Sequence, residues 1–451
     1  MSDLPVVVIG AGLTGALVAA QLRRAGCAVR VLEAGPRPPH LAPSCTQSEL
    51  RVLAEKLPLD HAAWRYESDV DGLEWMRVRA MGGRTWLWGG WLERPSAAAL
   101  AWADTRGAGW PIARATLDRA LARANRWLRA ESSKATPPLG DTFGRLRPKR
   151  AALGPGGRRP WTAWDVLAPD SVDTEHPAVG LTMTRGRVRA VEVLAGPERR
   201  PETIPARAVV ACASPVESAR LVASLGGSLA TRVGRDYVDH LVAGRMVLHP
   251  RPAPPRKGPL DRAFILRTRD PLATVEITGP FSATDLTVED RAALGIPEAD
   301  AARWSFTAVY AFTELDPAAG RAVYFDGPMD TLGRKSPRFA LGTPNADEVA
   351  RAMTTEALVD RMAKLAAKRK DEIVQTRPTA SHDIVGHEAG VCRMAERPKD
   401  GVTDPHGRVF GVKGLYVGDA SRMPSVFDTH PSLTIAALAL MTADAVLADL
   451  H

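Results

Sequence analysis

The N-terminal stretch VVVIGAGLTGALVAAQLRRAGCAVRVLEAG runs from apolar residues through a glycine-rich turn and an amphipathic stretch to a second apolar run and an acid. Short apolar runs bounded by turn residues predict buried strands, and apolar positions at helical spacing predict a helix. GWPIARATLDRALARANRWL, from Gly109, predicts a helix with Pro111 in its first turn. ATPPLGDTFGRLRPKRAALGPGGRRP has no period and predicts a long surface loop or lid. From about Leu181, LTMTRGRVRAVEV and IPARAVVACA predict strands, and SPVESARLVASL a helix starting near Pro215. After the proline-rich joint LHPRPAPPRKGP come RAFILRT, ATVEITG, WSFTAVYAF, RAVYFDG and PRFALG. These alternating runs predict one antiparallel sheet with a solvated or substrate-facing side. NADEVARAMTTEALVDRMAKLAAKRKDEIV predicts a single long structural helix, and PSLTIAALALMTADAVL an apolar helix with Pro431 in its first position. No internal repeat is present.

The first segment carries chemistry as well as structure. Gly10, Gly12 and Gly15 form GxGxxG, and Glu33 closes the second strand about twenty residues on. Gly10 permits the tight turn, Gly12 lets the backbone approach a pyrophosphate, and Gly15 lets helix and strand pack closely. The helix N-terminus offers unpaired N–H groups to phosphates, and Glu33 is placed to accept from an adenosine ribose. This pattern predicts a dinucleotide site without separating FAD from NAD.

VRAMGGRTWLWGGWLERP holds two glycine pairs among Trp86, Trp88 and Trp91. It reads either as aromatic packing on the core or as backbone lying against a flat ligand. His430 sits directly before Pro431 at the mouth of the last helix, and it is not a preferred cap residue. The formal charge of +8 is spread in singles and pairs, which predicts an arginine-rich solvated surface and no nucleic-acid footprint. Cys27, Cys45, Cys212 and Cys392 lie far apart without a CxxC pair, so neither a zinc site nor a disulfide framework is expected, and a reducing cytoplasm is. MSDLPVVVIGAG shows no signal peptide, and the apolar run Ile435 to Met441 is too short to span a bilayer. The arginine- and alanine-rich composition suggests a GC-rich bacterial gene.

Six ordered segments resemble the glucose–methanol–choline (GMC) flavoprotein oxidoreductases. They are GAGLTG, AMGGRTWLWGG with GWPI, AVVACASPVESARL, VGRDYVDH, GHEAGVCRMA, and GRVFGVKGLYVGDASRMPSVFDTHPSLTIAALALMTADAVL. The resemblance implies an α/β fold with a Rossmann-type FAD-binding domain, discontinuous in sequence (1–95, 175–245 and 386–451). It adds a substrate-binding domain built on an antiparallel β-sheet with helices (96–174 and 246–385). It implies FAD as cofactor and oxidation of a small alcohol (a sugar, cyclitol, aromatic alcohol or specialised metabolite), with O2 or an external carrier as electron acceptor. The same scaffold also hosts hydroxynitrile-lyase-type enzymes, and a non-catalytic flavin-binding protein is a further alternative. An NAD-dependent enzyme would leave GGRTWLWGG and GDASRMP unexplained.

Within that resemblance His387 of HEAGV and His430 match the catalytic pair, His387 as base and His430 as the partner that holds the substrate oxygen. A neutral imidazole is a suitable acceptor for a hydroxyl proton. The last helix, starting near Pro431 and Ser432, would favour negative charge on a reduced flavin. Asp419 of GDAS and Ala420 would lie by the ribityl and pyrophosphate, and the main chain of Val188 by adenine. Leu13, Thr14, Ala34, Gly82, Gly83 and Thr85 complete the candidate cofactor-binding set. The chain departs from the family at Val391, where Thr is usual, and at Ala395, where Gly is common. Covalent members carry a flavin-linking His at the place of Leu87, so non-covalent FAD is expected. No metal site is expected.

Overall fold

The computed structural model describes residues 4–39, 65–132, 146–157, 159–255, 262–269, 272–286, 288–367, 369, 372–376 and 384–450. Along the chain the elements that position the site are β1 (Val6–Ile9), α1 (Leu13–Arg24), β2 (Val29–Leu32), α2 (Arg114–Trp127), β3 (Arg147–Pro148), β4 (Val172–Asp173), β5 (Ala208–Ala211) and α3 (Pro215–Ala223). They continue with β6 (His240–His249), β7 (Ala263–Arg269), β8 (Leu272–Ser282), β9 (Ser305–Glu314), α4 (Ala346–Ala366), β10 (Ile373–Thr376), β11 (Leu415–Val417) and α5 (Ser432–Leu450).

All four residues of β1 are buried, the mark of a strand covered on both faces in a parallel sheet. The sheet runs β11-β5-β1-β2-β4, with Val8 between Val31 and Val210. Gly10 turns the chain at φ +101°, and a Cβ there would meet the Cys212 carbonyl oxygen at 2.3 Å. A Cβ on Gly15 would lie 1.8 Å from the Gly10 oxygen, so α1 packs on β1 only because that residue is glycine. α5 is long and apolar enough to cross a bilayer by length and composition, with a mean hydropathy of 1.8. It lies instead in the core against α1 and α2, with Leu17, Leu121 and Leu438 in one buried cluster.

The second half is an antiparallel sheet in the order β10-β6-β9-β8-β7-β3, mounted beside the parallel one. RAFILRT, ATVEITG and WSFTAVYAF form β7, β8 and β9 as the alternation predicts. RAVYFDG and PRFALG do not join them. Ala322–Tyr324 and Arg338–Ala340 pair with each other and with Glu67–Ser68 in a separate small sheet. Alternation specifies which face a residue takes, not which strand it pairs with, and Val323 and Phe339 bury against Trp75 and Tyr237.

The long helix also ends sooner than its pattern suggests. Asn345 and Glu348 close a capping box at its start, but α4 stops at Ala366. Ile373 and Val374 pair with Leu248 and Val247 as β10, an outcome their β-branched side chains favour. Of the stretch expected to be a loop, 135–145 and 158 lie outside the described residues, as does Cys45. Within that stretch β3 pairs with β7, and Arg150–Ala152 pairs with Ala130–Ser132. The charges of Arg147 and Lys149 mask these strands in sequence, and both are taken up by ion pairs, with Glu93 and Glu276. β4 lies just before the domain boundary expected at 174/175, yet its Val172 pairs with Val31 of β2 in the parallel sheet. α2, assigned by sequence to the substrate side, packs in the same cluster as α1 and α5.

Candidate active site

A cavity of about 510 Å³ runs between the two sheets. Of the sequence candidates, all but Gly15, Gly82 and Val188 line it. At one end stand Gly10, Gly12, Leu13 and Thr14 of the β1–α1 turn. A Cβ on Gly12 would have no atom within 4 Å, so the turn faces open space there. Gly83 of the second glycine segment closes on it, 3.3 Å from the Gly12 Cα to a would-be Cβ, and the Gly82 N–H donates to the Ala11 carbonyl at 3.0 Å. Gly82 and Gly15 therefore shape the turn without lining the cavity. Thr85 is buried; its hydroxyl donates to the Gly82 carbonyl at 2.6 Å and accepts from the Ala163 N–H at 3.2 Å.

Glu33 lies buried at the end of β2 beside Ala34, which also lines the cavity. Its two oxygens accept from the Ala11 and Gly35 N–H groups, each at 3.0 Å, and burial pushes its pKa up. A carboxylate offers about four lone-pair sites, so capacity remains for ribose hydroxyls. Asp419 accepts from the Ser218 and Ser421 hydroxyls, each at 2.6 Å, and from the Ser421 N–H at 3.0 Å. It thereby caps the turn Ala420–Arg422. Val188 corrects the sequence reading. It is fully buried, its N–H donates to the Lys413 carbonyl at 3.0 Å, and it does not reach the cavity. Its main chain is committed to strand pairing, and His176, Pro177 and Ala178 line the space beside Glu33 instead.

Arg77, Arg84 and Arg334 also line the cavity, unforeseen in the sequence. Arg334 donates to the Ala178 carbonyl, its Nη2 is buried without a hydrogen-bond partner, and burial lowers its pKa to about 10. An elongated groove holding a glycine turn, the open N-terminus of α1, a buried ribose-side acid and an orphaned guanidinium N–H fits a dinucleotide with its pyrophosphate.

Three histidines gather at the other end. His387 Nε2 lies 3.4 Å from His430 Nδ1, and His387 Nδ1 lies 2.8 Å from Nδ1 of His240. His240 Nε2 reaches the Phe427 carbonyl at 3.0 Å. Beneath them the buried Asp239 carboxylate accepts from the N–H groups of His240 at 2.7 Å, His387 at 3.0 Å and Gly386 at 3.1 Å. β6 and the segment before residue 388 are thus fastened together. Burial first, then the neighbouring His240, His430 and Arg84, holds His387 well below the usual imidazole range. Burial brings His240 down to about 3.

His430 has its own partner. Its Nε2 lies 2.6 Å from Glu276 of β8, and Glu276 lies 2.6 Å from the fully buried Lys149 Nζ. Burial pushes Glu276 up, but His430 and Lys149 outweigh it and hold the carboxyl at about 2. Phe312 of β9 packs against both rings, 4.7 Å from His430 and 5.7 Å from His387. Pro431 stands one place earlier than expected. Its carbonyl accepts from the Ile435 N–H at 2.9 Å, which makes it the cap of α5, with Ser432 as first helical residue. Both line the cavity, so the first turn of α5 opens into it.

Lys149, Asp239, His240 and Glu276 carry no signal that assigns them a role in sequence. Glu276 is the single charge in ATVEITG, and that was the available hint. The tryptophans are largely structural. Trp86 Nε1 donates to the Met81 carbonyl and Trp88 Nε1 to the Trp161 carbonyl, and among the described tryptophans only Trp88 lines the cavity.

Residues 330–439 match the family model described as GMC oxidoreductase, and residues 8–63 match the NAD(P)-binding Rossmann-like domain. Glucose oxidase 1 of Penicillium expansum is 40% identical over 65 residues, 14% of this chain and 11% of that protein. 6'''-Hydroxyparomomycin C oxidase of Streptomyces lividus is 31% identical over 108 residues, 24% of this chain and 19% of that protein. The chain therefore spans only a small part of the length of these curated relatives. The crystal structure of pyridoxine 4-oxidase from Mesorbium loti superposes with a TM-score of 0.68 at 20% identity, covering 99% of each chain. Fold and site define a Rossmann-type α/β protein with an antiparallel second half. The matches support an oxidoreductase of the GMC type, a family whose members are flavoproteins that bind FAD.

Proposed function

We propose that this chain is an FAD-dependent alcohol oxidase that converts a carbinol to its carbonyl compound. The observation that carries the reading is the facing pair, His387 Nε2 and His430 Nδ1, 3.4 Å apart in the cavity that the glycine turn opens. Bound there, FAD supplies the acceptor for the carbinol hydride.

The chain's own residues handle the proton and the geometry. Held well below the usual imidazole range by burial, His387 is neutral at physiological pH. A neutral ring in reach of the hydroxyl is a general base, and Nε2 is its cavity-facing nitrogen. The Glu276 carboxylate is ionised, so His430 Nε2 carries the hydrogen directed at it. Glu276 thereby fixes the orientation of the His430 ring, whose Nδ1 is left facing His387 and the substrate oxygen. The hydroxyl proton passes to His387 Nε2 while His430 holds the oxygen, a positioning contribution that lowers the barrier by pre-ordering the reactants. The first turn of α5 adds positive potential at the same end of the cavity.

Leu87 lines the cavity with a side chain that cannot bond to a flavin, which supports non-covalent FAD. The names of the relatives, which carry glucose, 6'''-hydroxyparomomycin C and pyridoxine, support a hydroxylated small molecule as substrate and O2 as acceptor. Cys27, Cys212 and Cys392 are free thiols, in keeping with a cytoplasmic setting.

An anaerobic visible spectrum of the purified protein, followed by a panel of sugars, cyclitols and aromatic alcohols, tests this. One class is expected to bleach the flavin bands, and admitting air to restore them. A flavin-loaded protein that no alcohol bleaches overturns the oxidase reading.

A further inference from the structure

We infer that His240 is a positioning residue that sets which nitrogen of His387 is bare; this rests on the reading of His387 as proton acceptor. The argument is an inventory of protons. The Phe427 carbonyl can only accept, so His240 Nε2, 3.0 Å away, carries a hydrogen. The His240 ring is buried and neutral, and a neutral imidazole with hydrogen on Nε2 has a lone pair on Nδ1. That lone pair faces His387 Nδ1 at 2.8 Å. Two lone pairs at this distance repel, so His387 brings the hydrogen, as Nδ1–H. A neutral His387 with hydrogen on Nδ1 is bare at Nε2, the nitrogen that faces His430 and the cavity.

The surroundings hold this arrangement in place. Asp239 ties the backbone N–H groups of both histidines to one carboxylate, fixing the spacing of the two rings. Phe427 presents its carbonyl from a left-handed turn at φ +67°, an outlier for a bulky residue. The turn is fastened by Glu314, which accepts from the Val426 N–H at 2.6 Å, and by Phe427 stacking on Trp110 at 4.7 Å. The charged groups near His387 are Arg84, paired with Glu388 at 2.8 Å, Asp239 below its N–H, and Glu276 beyond His430. Among the described residues only His240 hydrogen-bonds to His387 Nδ1.

Three substitutions in the FAD-loaded protein separate this role from mere support of the loop. In His240→Asn the side-chain oxygen takes the place of Nδ1 and still accepts from His387. His240→Gln reaches toward Phe427 but offers His387 nothing at the Nδ1 position, and His240→Leu offers neither contact. Flavin reduction is followed anaerobically across pH with an alcohol that bleaches the wild type. Loss on the order of 10² is expected for the Leu and Gln variants, as for a misplaced general base, with most of the rate recovered by Asn. Leu and Gln variants within a few-fold of wild type, or Asn and Gln variants of equal activity, would overturn the inference. His387→Ala runs alongside: a wild-type rate there removes the functional reading itself, whereas a dead His387→Ala beside an active His240→Leu removes only the role of His240. Nitrogen-15 NMR of the ring-labelled resting wild type needs no turnover and no variant. Nδ1–H on His387 is expected, and Nε2–H would overturn the proposal.

Discussion

The two halves of this protein build their parts of the cavity from different material. The nucleotide half uses backbone: Gly12 leaves open space, Gly10 and Gly83 let the chain pack tightly around it, and helix N-termini turn N–H groups toward it. The other end, where the antiparallel sheet meets the C-terminal segment, uses side chains: Lys149, Glu276, His430, His387 and His240 form one chain of contacts, each between 2.6 and 3.4 Å. Backbone construction depends on local conformation and tolerates little. A side-chain network depends on residues far apart in sequence, and its failure is chemical before it is structural.

The largest effect is expected in the backbone half. Gly15→Val puts a side chain where a Cβ alone would stand 1.8 Å from the Gly10 oxygen. The purified protein should lack the flavin spectrum and resist reconstitution with FAD; normal FAD content would show that the turn yields more than its packing allows. His387→Ala comes next. It should keep FAD and reduce it slower by a factor on the order of 10² or more, read by anaerobic stopped-flow, and His430→Ala should lose less. The reverse order would exchange the two roles.

Glu276→Gln is smaller in rate and visible in stability. Flavin reduction should fall roughly ten-fold as His430 loses the carboxylate that orients its ring. The buried Lys149, left with Glu93 as the nearest acid, should destabilise the fold by about 3 kcal/mol. Urea unfolding and the reduction rate measure the two separately. A rate loss without a stability loss would mean that Lys149 does not depend on this carboxylate.

The smallest effect is a pH dependence of stability. His240 and His387 have folded-state values below the ordinary 6.5. Between those values the unfolded chain binds protons that the folded chain excludes. Stability is therefore lost as pH falls from about 6.5 toward 3, by about 1.4 kcal/mol per pH unit per histidine. Glu314, raised to about 8 by burial, has the opposite sign: the folded form keeps a proton that the unfolded form has released, and that stability is lost as pH rises through about 8. His240→Asn should flatten the acid limb by one proton and leave the alkaline limb alone. Denaturation curves from pH 4 to 9 check this, and an unchanged acid limb would mean that His240 charges without penalty.

Legibility follows the same division. GxGxxG with Glu33 could be read because a left-handed φ and a sub-contact distance leave glycine as the residue that fits, so geometry is written into residue type. The helices α1, α3 and α5 were readable from spacing and caps for the same reason. His387 and His430 became candidates through resemblance, since nothing local marks a histidine as catalytic. Val188 failed as a candidate because strand pairing with the segment at Lys413 took up its main chain, a neighbour about 225 positions away in sequence.

The sequence by itself determined the dinucleotide turn and the order of strands and helices that surround it. Each is a local property, set by the steric range of glycine or the period of apolar residues. The tertiary structure decided that Lys149, Glu276 and His240 join His387 and His430, which nitrogen of each ring is free, and where the strands of the second half pair. Lys149 and Glu276, Glu276 and His430, and His240 and His387 each stand more than a hundred positions apart, and only the packing of the two sheets brings them within hydrogen-bond reach.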